Sequence, residues 1–385
     1  MNKTSKRLTS IDMLRGLVIV IMALDHVRDM LGAAALRPMD FADADVLLFL
    51  TRWITHLCAP TFVLLAGTSA FLYGAGGRST IDISRFLFSR GVWLVFVELT
   101  FVGFGWNFNL GSQYAPILQV IWVLGVSMIA LSGLIWLPRS LIAFIGITMI
   151  AGHNMLDGIQ PAAEQASIAW RLLHIQGLLT LGGTPVAYVV YPLIPWIGVM
   201  ALGYVIGPYF VGVQHHRPRA LVVAGLAMGL LFVLLRYWNL YGDANVWQVQ
   251  ESVGASVVDF LNTTKYPPSL LFLLMTLGPA MMLLGLFERL EGALSKALVT
   301  IGRVPFFFYV AHLYVIHLLA LMLGLFQGIP IAQTAVAFVF YPKGFGVGLI
   351  AVYVFWLAVV LAFYPACHWF SDVKARRRDW WLSYL

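Results

Sequence analysis

The sequence predicts an all-α integral membrane protein, a bundle of about ten transmembrane helices with both termini in the cytoplasm. Of its 385 residues, 61% are hydrophobic and only 11% are charged, whereas soluble domains carry about 25% charged residues. Apolar stretches that approach the roughly 20 residues needed to cross a bilayer recur along the whole chain. No change in composition marks a soluble domain, so residues 1–385 are interpreted as one membrane domain.

Ten segments have this length and character, and we predict one transmembrane helix in each. In chain order they are residues 12–31, 46–74, 84–106, 114–137, 139–155, 186–211, 219–240, 267–287, 304–326 and 345–368. The second is longer than a span requires, so its opening VLLFLTRWITHL is expected to form an interfacial helix. The fifth is the shortest.

The residues between these segments support their boundaries. The turn HHRPR at 215–219 precedes the seventh span, Pro267 and Pro268 open the eighth, and Arg303 stands at the entrance of the ninth. The closing KARRRDWW is a basic and aromatic tail, which is typical of an anchor for anionic lipid headgroups. With the N-terminus inside, most of the 24 Lys and Arg residues fall in the cytoplasm.

Composition also excludes several other functions. A net charge of +7 reflects this loop asymmetry, so nucleic-acid binding is not expected. Cys58 and Cys367 both lie in apolar runs, so neither a disulfide framework nor a cysteine-based zinc site is expected, and no metal is predicted.

Charged and polar residues interrupt the first span, SIDMLRGLVIVIMALDHVRD. Steps of three and four residues put Asp12, Arg15, His26 and Asp29 on one face of a helix. Arg15 and His26 are eleven residues apart, about 16 Å along the axis. Because ionisable groups facing lipid are costly, this face must look into the bundle.

The first span therefore holds candidate catalytic groups. His26 can accept and return a proton near neutral pH, and Asp29 or Asp25 could orient its ring, as a carboxylate does behind the base of a hydrolase. The structural alternative is an interfacial Asp12–Arg15 ion pair with His26 bonded to another helix.

Four blocks carry a resemblance to a known family. The spacing of Arg15 and His26, with ten residues between them, resembles the arginine-to-histidine pattern of bacterial membrane acyltransferases that modify surface polysaccharides. Further blocks resemble the heparan-α-glucosaminide N-acetyltransferase branch of that superfamily and its bacterial members. These are SIDMLRG at 10–16, HLCAPTFVLLAGTSAFL at 56–72, KYPPSLLFLLMTLGP at 265–279 and IGRVPFFFYVAHLYVIH at 301–317.

The resemblance implies a bundle that takes acetyl-CoA from the cytoplasm and acetylates a sugar amine or hydroxyl on the far side. It also implies a bacterial inner membrane. The sequence departs from the family at two places. The lysosomal enzymes carry their proposed catalytic histidine in the loop after the first helix, but residues 33–45 contain none. His56 stands where other members often have an acidic residue.

Other candidate residues follow from this topology. His312, in the middle of a span, and His56, which shares a helix face with Arg52, are candidate catalytic groups. Because coenzyme A carries phosphate charges, we expect cytoplasmic cations to bind it. The candidates are Arg15, Arg85, Arg90 and Arg303. Candidates for acceptor binding are Trp106, Asn107, Asn262, Lys265 and Tyr309.

The leading hypothesis is an acyl-CoA-dependent transmembrane acyltransferase, with His26 as base or transient acyl carrier. Its partners would be acyl-CoA, a glycan or amino-sugar acceptor, the lipid bilayer and a possible second copy in a homodimer. A secondary transporter with a proton or solute pathway along the first helix is the alternative, although paired broken helices are not evident. A non-catalytic assembly partner is the third hypothesis.

Overall fold

The computed structural model describes residues 9–36, 46–109, 116–159, 161, 167–212, 214–377 and 379–384. The described residues are mostly helical. In chain order their α-helices are α1 Thr9–Leu31, α2 Val46–Thr55, α3 Cys58–Gly74, α4 Thr80–Val97, α5 Gly103–Asn107, α6 Val120–Leu134, α7 Arg139–Gly152, α8 Ile168–Leu173, α9 Leu193–Ile206, α10 Arg217–Tyr237, α11 Val253–Leu261, α12 Leu270–Phe287, α13 Ala293–Gly302, α14 Pro305–Phe326, α15 Ile331–Thr334 and α16 Leu349–Arg376.

Eight helical segments of the described chain are long and apolar enough to cross a membrane, and each coincides with a predicted span. The other two predicted spans are α1 and α6. Helix α1 is not counted among the eight because it carries three acidic and two basic residues. Helix α6 is not counted because it is only 15 residues long. The prediction of an all-α polytopic membrane protein is confirmed, while the cytoplasmic position of the termini stays a prediction.

Helix α1 lies at the centre of the bundle and packs against α3, α12, α13, α14 and α16. Its contact with α13 is very close: a Cβ on Gly302 would lie 1.8 Å from the carbonyl oxygen of Asp12, and one on Gly16 would lie 2.0 Å from that of Leu298. Because only glycine permits this approach, α13 seals one side of α1. The ten predicted spans did not include α13.

The second and third spans both depart from a regular α-helix. The α-helix is interrupted at His56 and Leu57, between α2 and α3, at the end of the predicted interfacial stretch VLLFLTRWITHL. Between α4 and α5, Glu98–Val102 form a π-helical turn. The fully buried Glu98 carboxylate accepts hydrogen bonds from the backbone N–H groups of Gln119 and Trp122, at 3.2 and 3.0 Å. It therefore satisfies the first turn of α6.

A small sheet precedes α6 and α9, so two of the predicted spans begin later than expected. It contains β1 Ile117–Leu118, β2 Gly177–Leu181 and β3 Thr184–Val189 in the order β1-β3-β2, with β1 parallel and β2 antiparallel to β3. The predicted start of a helix at 186 is therefore wrong, since α9 begins at Leu193 after Pro192. The predicted start at 114 lies outside the described residues, and α6 begins only at Val120.

The two ends of α1 have different neighbours, and we call them the Arg15 end and the Asp25 end. Beside the Arg15 end lie the last turn of α3 and the start of α14, because Ser69 and Arg303 line one cavity with Arg15. Beside the Asp25 end lie the α2–α3 turn and the segment that leads into α12.

Candidate active site

Two histidines from distant parts of the sequence form a pair in the middle of the bundle. His26 of α1 and His312 of α14 are both buried, and their rings lie edge to edge with an interplanar angle of 14° and centroids 4.9 Å apart. Nδ1 of His26 lies 2.7 Å from Nε2 of His312, which is a hydrogen-bond distance. Both residues were predicted catalytic candidates, and the structure brings them together.

The hydrogen bonds of the pair define its proton positions. Nδ1 of His312 lies 2.8 Å from the carbonyl oxygen of Phe308, which can only accept, so this nitrogen carries the hydrogen. In a neutral His312, Nε2 is then an acceptor, and His26 must donate from Nδ1. The remaining ring nitrogen of His26, Nε2, therefore keeps its lone pair and can take a proton.

Trp106 and Tyr309 enclose the ring of His26. The indole lies edge-on with its centroid 4.9 Å from the imidazole, and the phenol lies edge-on at 6.0 Å. The Trp106 Nε1–H and the Tyr309 hydroxyl are buried, and the indole N–H is directed at the phenol oxygen. Because an indole N–H can only donate, the Tyr309 O–H is the polar hydrogen that remains available beside the candidate base. Both residues had been predicted to bind the acceptor.

A cavity of about 550 Å³ approaches this pair from the Arg15 end. Its walls are mostly apolar side chains of α3, α4, α6 and α14, and both Arg15 and Ile19 of α1 line it. Tyr309 also lines the cavity, so one face of this side chain meets the empty space and another meets His26.

Four cationic side chains line the same cavity. Arg15, Arg90 and Arg303 were predicted to bind the cofactor, whereas Lys374 near the end of α16 had been interpreted only as a tail charge. Arg15 also hydrogen-bonds Asp12 and Ser69. Arg85, the fourth predicted cation, is exposed and does not line this cavity.

An aromatic pair stands beside these cations. The rings of Tyr73 and Phe86, which both line the cavity, are stacked with their centroids 4.2 Å apart. The guanidinium of Arg78 lies 3.9 Å from the centre of the Tyr73 ring. The cavity therefore combines positive charge, a flat aromatic surface and a long apolar interior.

Asp25 and Asp29 were expected to orient the His26 ring, but their carboxylates bind Arg28. Both bind Nη2 of Arg28, with Oδ1 of Asp25 at 2.8 Å and Oδ1 of Asp29 at 2.6 Å. The guanidinium is buried, so it needs nearby negative charge more than the imidazole does. The predicted carboxylate partner of His26 Nδ1 is thus replaced by His312.

The Asp25 end gathers several further polar groups. His56 is buried, with its ring 5.4 Å from that of Phe272. Lys265 lies within electrostatic range of Asp25, His26 and His56, and its ammonium lies 5.2 Å from the centre of the Tyr266 ring. His56 and Lys265 therefore lie in the neighbourhood of the histidine pair, as the topology predicted.

Two predicted acceptor-binding residues take part in local structural contacts. The side-chain amide of Asn107 donates to the carbonyl of Gly103 within its own helix, at 2.8 Å. The backbone carbonyl of Asn262 accepts from Arg236 at 3.0 Å, at the end of α11. Binding of the acceptor by these two side chains stays a prediction.

Comparison with known families agrees with this architecture. The family model for the catalytic region of heparan-α-glucosaminide N-acetyltransferase matches residues 7–236, more than half of the chain. The chain belongs to this family. Membership in the heparan-α-glucosaminide N-acetyltransferase family implies an acetyltransferase, and the helices make it an integral multi-pass membrane protein. No curated protein sequence matches the chain significantly.

The match to the heparan-α-glucosaminide N-acetyltransferase family covers only part of the histidine pair. His26 lies inside the matched range, whereas Tyr309 and His312 follow it. The predicted blocks at 10–16 and 56–72 likewise fall inside, and the later two fall outside. The structure thus joins the α14 half of the site to the region that carries the family match.

Sequence reasoning missed the roles of Arg28 and Lys374 in this arrangement. Arg28 lies two residues after His26, but it falls between the steps of the polar stripe. Lys374 was hidden because it belongs to a basic tail, where positive charge is expected for topological reasons. Pairing between His26 and His312 was not predicted, although both lie at membrane depth.

Proposed function

We propose that the protein transfers an acetyl group from acetyl-CoA, bound at the Arg15 end, to an amine or hydroxyl of a sugar that enters from the Asp25 end. The observation that carries this proposal is the His26–His312 pair beyond the inner end of a cavity with four cationic residues in its lining. A base, a channel for a long thioester and a cationic binding region for phosphates are the parts that such a transfer needs.

The cavity suits each portion of the donor. The phosphates of coenzyme A would bind the cations Arg15, Arg90, Arg303 and Lys374, because guanidinium and ammonium groups form charge-assisted hydrogen bonds with phosphate. Phe86, which stacks on Tyr73, would offer its other face to the adenine. The pantetheine arm would follow the apolar interior and bring the thioester to Tyr309.

His26 would act as the general base from Nε2. It takes the proton of the acceptor amine or hydroxyl while the acceptor atom attacks the thioester carbonyl. The C–S bond then breaks, and the departing thiolate of CoA receives that proton. His312 holds His26 in the required tautomer through the Nδ1–H bond at 2.7 Å. It also lets the imidazolium that forms share its charge with a polar neighbour.

Trp106 and Tyr309 would stabilise the transition state. The tetrahedral intermediate places negative charge on the former carbonyl oxygen, which needs preorganised donors. The Tyr309 hydroxyl is buried beside His26 with the Trp106 N–H directed at its oxygen, so its own O–H can donate to the developing oxyanion. Binding the intermediate would supply that buried O–H with an acceptor.

The proposal also assigns the two sides of the membrane. The positive residues around the cavity entrance favour a cytoplasmic Arg15 end, where acetyl-CoA is made, in a bacterial inner membrane. The acceptor would then be a glycan or amino sugar on the outer side. This assignment supports acetylation across the membrane and not within the cytoplasm.

Purified full-length protein with radiolabelled acetyl-CoA and amino sugars tests the proposal. We expect release of CoA with wild-type protein and a fall in kcat of about 10²–10⁴-fold in His26→Gln. His153→Gln, which alters another buried histidine outside this site, is the matched control. Undiminished turnover in His26→Gln would refute the role of this residue. Solute uptake into vesicles without acetyl-CoA binding would favour a transporter instead.

A further inference from the structure

Residues 379–384, which we call the strap, follow α16 and pack against the bundle. A 3₁₀ turn runs over Trp380–Ser383. Leu382 is only 4% exposed, because its side chain packs into the main hydrophobic core. The N–H of Tyr384 donates to the carbonyl of Trp381 at 3.0 Å. The strap is therefore folded and docked on the protein.

Tyr384 connects the strap to α4. Its hydroxyl lies 2.8 Å from Oγ of Ser89, which is a hydrogen-bond distance. Its ring meets that of Phe86 edge-on with the centroids 6.0 Å apart, an arrangement that aromatic pairs favour. The guanidinium of Arg90 lies 5.9 Å from the centre of the Phe86 ring and within electrostatic range of Tyr384. Spacings of three and four residues place these α4 side chains on one face, which receives Tyr384.

The strap joins two walls of the cavity at the Arg15 end. Phe86 and Arg90 of α4 line this cavity, and so does Lys374 in the last turn of α16. The chain leaves α16 at Arg376 and reaches α4 at Tyr384, so it runs from one wall to the other. Tyr384 itself is not among the described residues that line the cavity. It therefore supports the lining side chains from outside and leaves the open volume free.

We propose that Tyr384 is a positioning residue of the donor site, which holds Phe86 and Arg90 where the adenine and the phosphates of coenzyme A bind. This inference rests on the proposed acetyl transfer, because it takes the cavity as the donor site. Side chains that a ligand must immobilise lose rotamer freedom when it binds, which weakens the complex. A strap that orders Phe86 and Arg90 beforehand reduces this loss, so the donor binds more tightly.

The reacting end of the donor would lie away from the strap. Tyr384 contacts Phe86, at the nucleotide end, whereas the thioester would lie at Tyr309 beside His26. Loosening the strap should therefore weaken binding of the nucleotide and leave the reacting atoms in place. A disturbance of the whole cavity would instead affect every part of the donor.

Hydrogen exchange of the full-length protein in detergent micelles tests whether Tyr384 holds the strap. The N–H groups of Leu382 and Tyr384 donate to carbonyls within the strap at 3.1 and 3.0 Å, so they exchange when this turn opens. Ser89→Ala removes the hydrogen bond to Tyr384 without changing the strap itself. We expect these amides to exchange about threefold faster or more in Ser89→Ala than in wild type. Equal rates would overturn the proposal.

Calorimetric titration with CoA and with adenosine 3′,5′-bisphosphate measures binding at the nucleotide end. Tyr384→Phe removes the hydroxyl and Ser89→Ala removes its partner, so each should raise the dissociation constant of CoA about threefold to tenfold. The double variant should bind CoA no more weakly than the single variants, because all three lack the same hydrogen bond. The bisphosphate should lose affinity by the same factor as CoA.

Tyr237→Phe is the matched control, because it removes the hydroxyl of an exposed tyrosine outside the cavity. Its dissociation constants should equal those of the wild type. Unchanged or tighter CoA binding in both single variants overturns the positioning role, and so does a larger loss for CoA than for the bisphosphate. Absence of CoA binding by the wild-type protein would refute the proposed function itself, and with it the donor site that Tyr384 supports.

Discussion

The two ends of α1 use positive charge in different ways. At the Arg15 end, four cationic residues line a cavity of about 550 Å³, and the Arg15 side chain is 20% exposed. At the Asp25 end, Arg28 is 3% exposed and has carboxylate oxygens at 2.6 and 2.8 Å. Helix α1 thus contributes one of four cations to an open cavity at one end and carries a buried ionic cluster at the other.

This difference indicates two kinds of task. Cations in an open cavity can bind and release a large anion, and dissolved salt screens them. A buried cluster is screened much less and is held in place by its own ion pairs, so it suits orientation of groups near the reaction. Changes at the Arg15 end should therefore alter KM and its salt dependence, and changes near the histidine pair should alter kcat.

The largest effect is expected from His312→Phe. Phenylalanine fills the same space but cannot accept the hydrogen bond from Nδ1 of His26. His26 then loses its fixed tautomer and the neighbour that stabilises its protonated form, so kcat should fall by about 10²–10⁴-fold. Steady-state kinetics at saturating acetyl-CoA measures this change, and KM for acetyl-CoA should stay within a factor of about three.

One pattern of kcat and KM would contradict the different roles assigned to the two ends of α1. If His312→Phe raised KM for acetyl-CoA tenfold and left kcat unchanged, the histidine pair would belong to donor binding. Gel filtration of the His312→Phe variant is the control for correct folding.

Much of the fold was predictable, because hydrophobic length and charge dominate in a membrane. All eight helices that pass the test of length and composition coincide with predicted spans. The errors occurred where an apolar run is a strand: TPVAYV at 184–189 reads as the start of a span, yet it pairs with β2 after a turn at Gly182 and Gly183. Periodicity alone cannot separate short apolar strands from helices.

The sequence could predict which candidate residues share a helix face, but not which helix faces meet in the folded protein. Steps of three and four residues placed Arg15 and His26 correctly on one stripe of α1, because this depends on local geometry. The partner of His26 could not be found in this way, because His312 is 286 residues away and the pairing depends on how α14 packs. The spacing along α1 predicted Asp25 or Asp29 as the partner of His26, but Arg28 binds both carboxylates.

A smaller effect is expected from Arg90→Gln and Arg15→Gln at the other end. Each removes one cationic group from the cavity lining without touching the histidine pair. A hydrogen bond to a charged group contributes about 1.5–3 kcal/mol, so KM for acetyl-CoA should rise about tenfold to a hundredfold with little change in kcat. The wild-type KM should also rise with salt.

Arg85→Gln is the matched control for these variants. Arg85 belongs to the same helix as Arg90 and carries the same charge, but it is exposed and does not line the cavity. The KM of Arg85→Gln for acetyl-CoA should stay within a factor of about two of the wild-type value. An equal rise in KM for Arg85→Gln and Arg90→Gln would mean that general positive charge, and not this cavity, attracts the donor.

The smallest effect concerns the contact between His174 and Asp157. Nε2 of His174 lies 3.3 Å from Asp157, and the amide of Asn154 accepts from the first residue of α12. Burial lowers the pKa of His174 below its ordinary value of about 6.5, although the Asp157 carboxylate acts in the opposite direction. The unfolded chain therefore binds the proton more readily than the folded one.

The sign of the pH dependence follows from that direction. The stabilising contribution of neutral His174 is fully present above about pH 6.5 and is lost as the pH falls towards the lowered pKa of the folded state. Thermal unfolding of wild type should thus occur about 1–2 °C lower at the acidic end of this range, and His174→Gln should reduce the slope. His216→Gln, which changes an exposed histidine, should keep it. A slope that is identical in all three proteins would show that His174 is not its source.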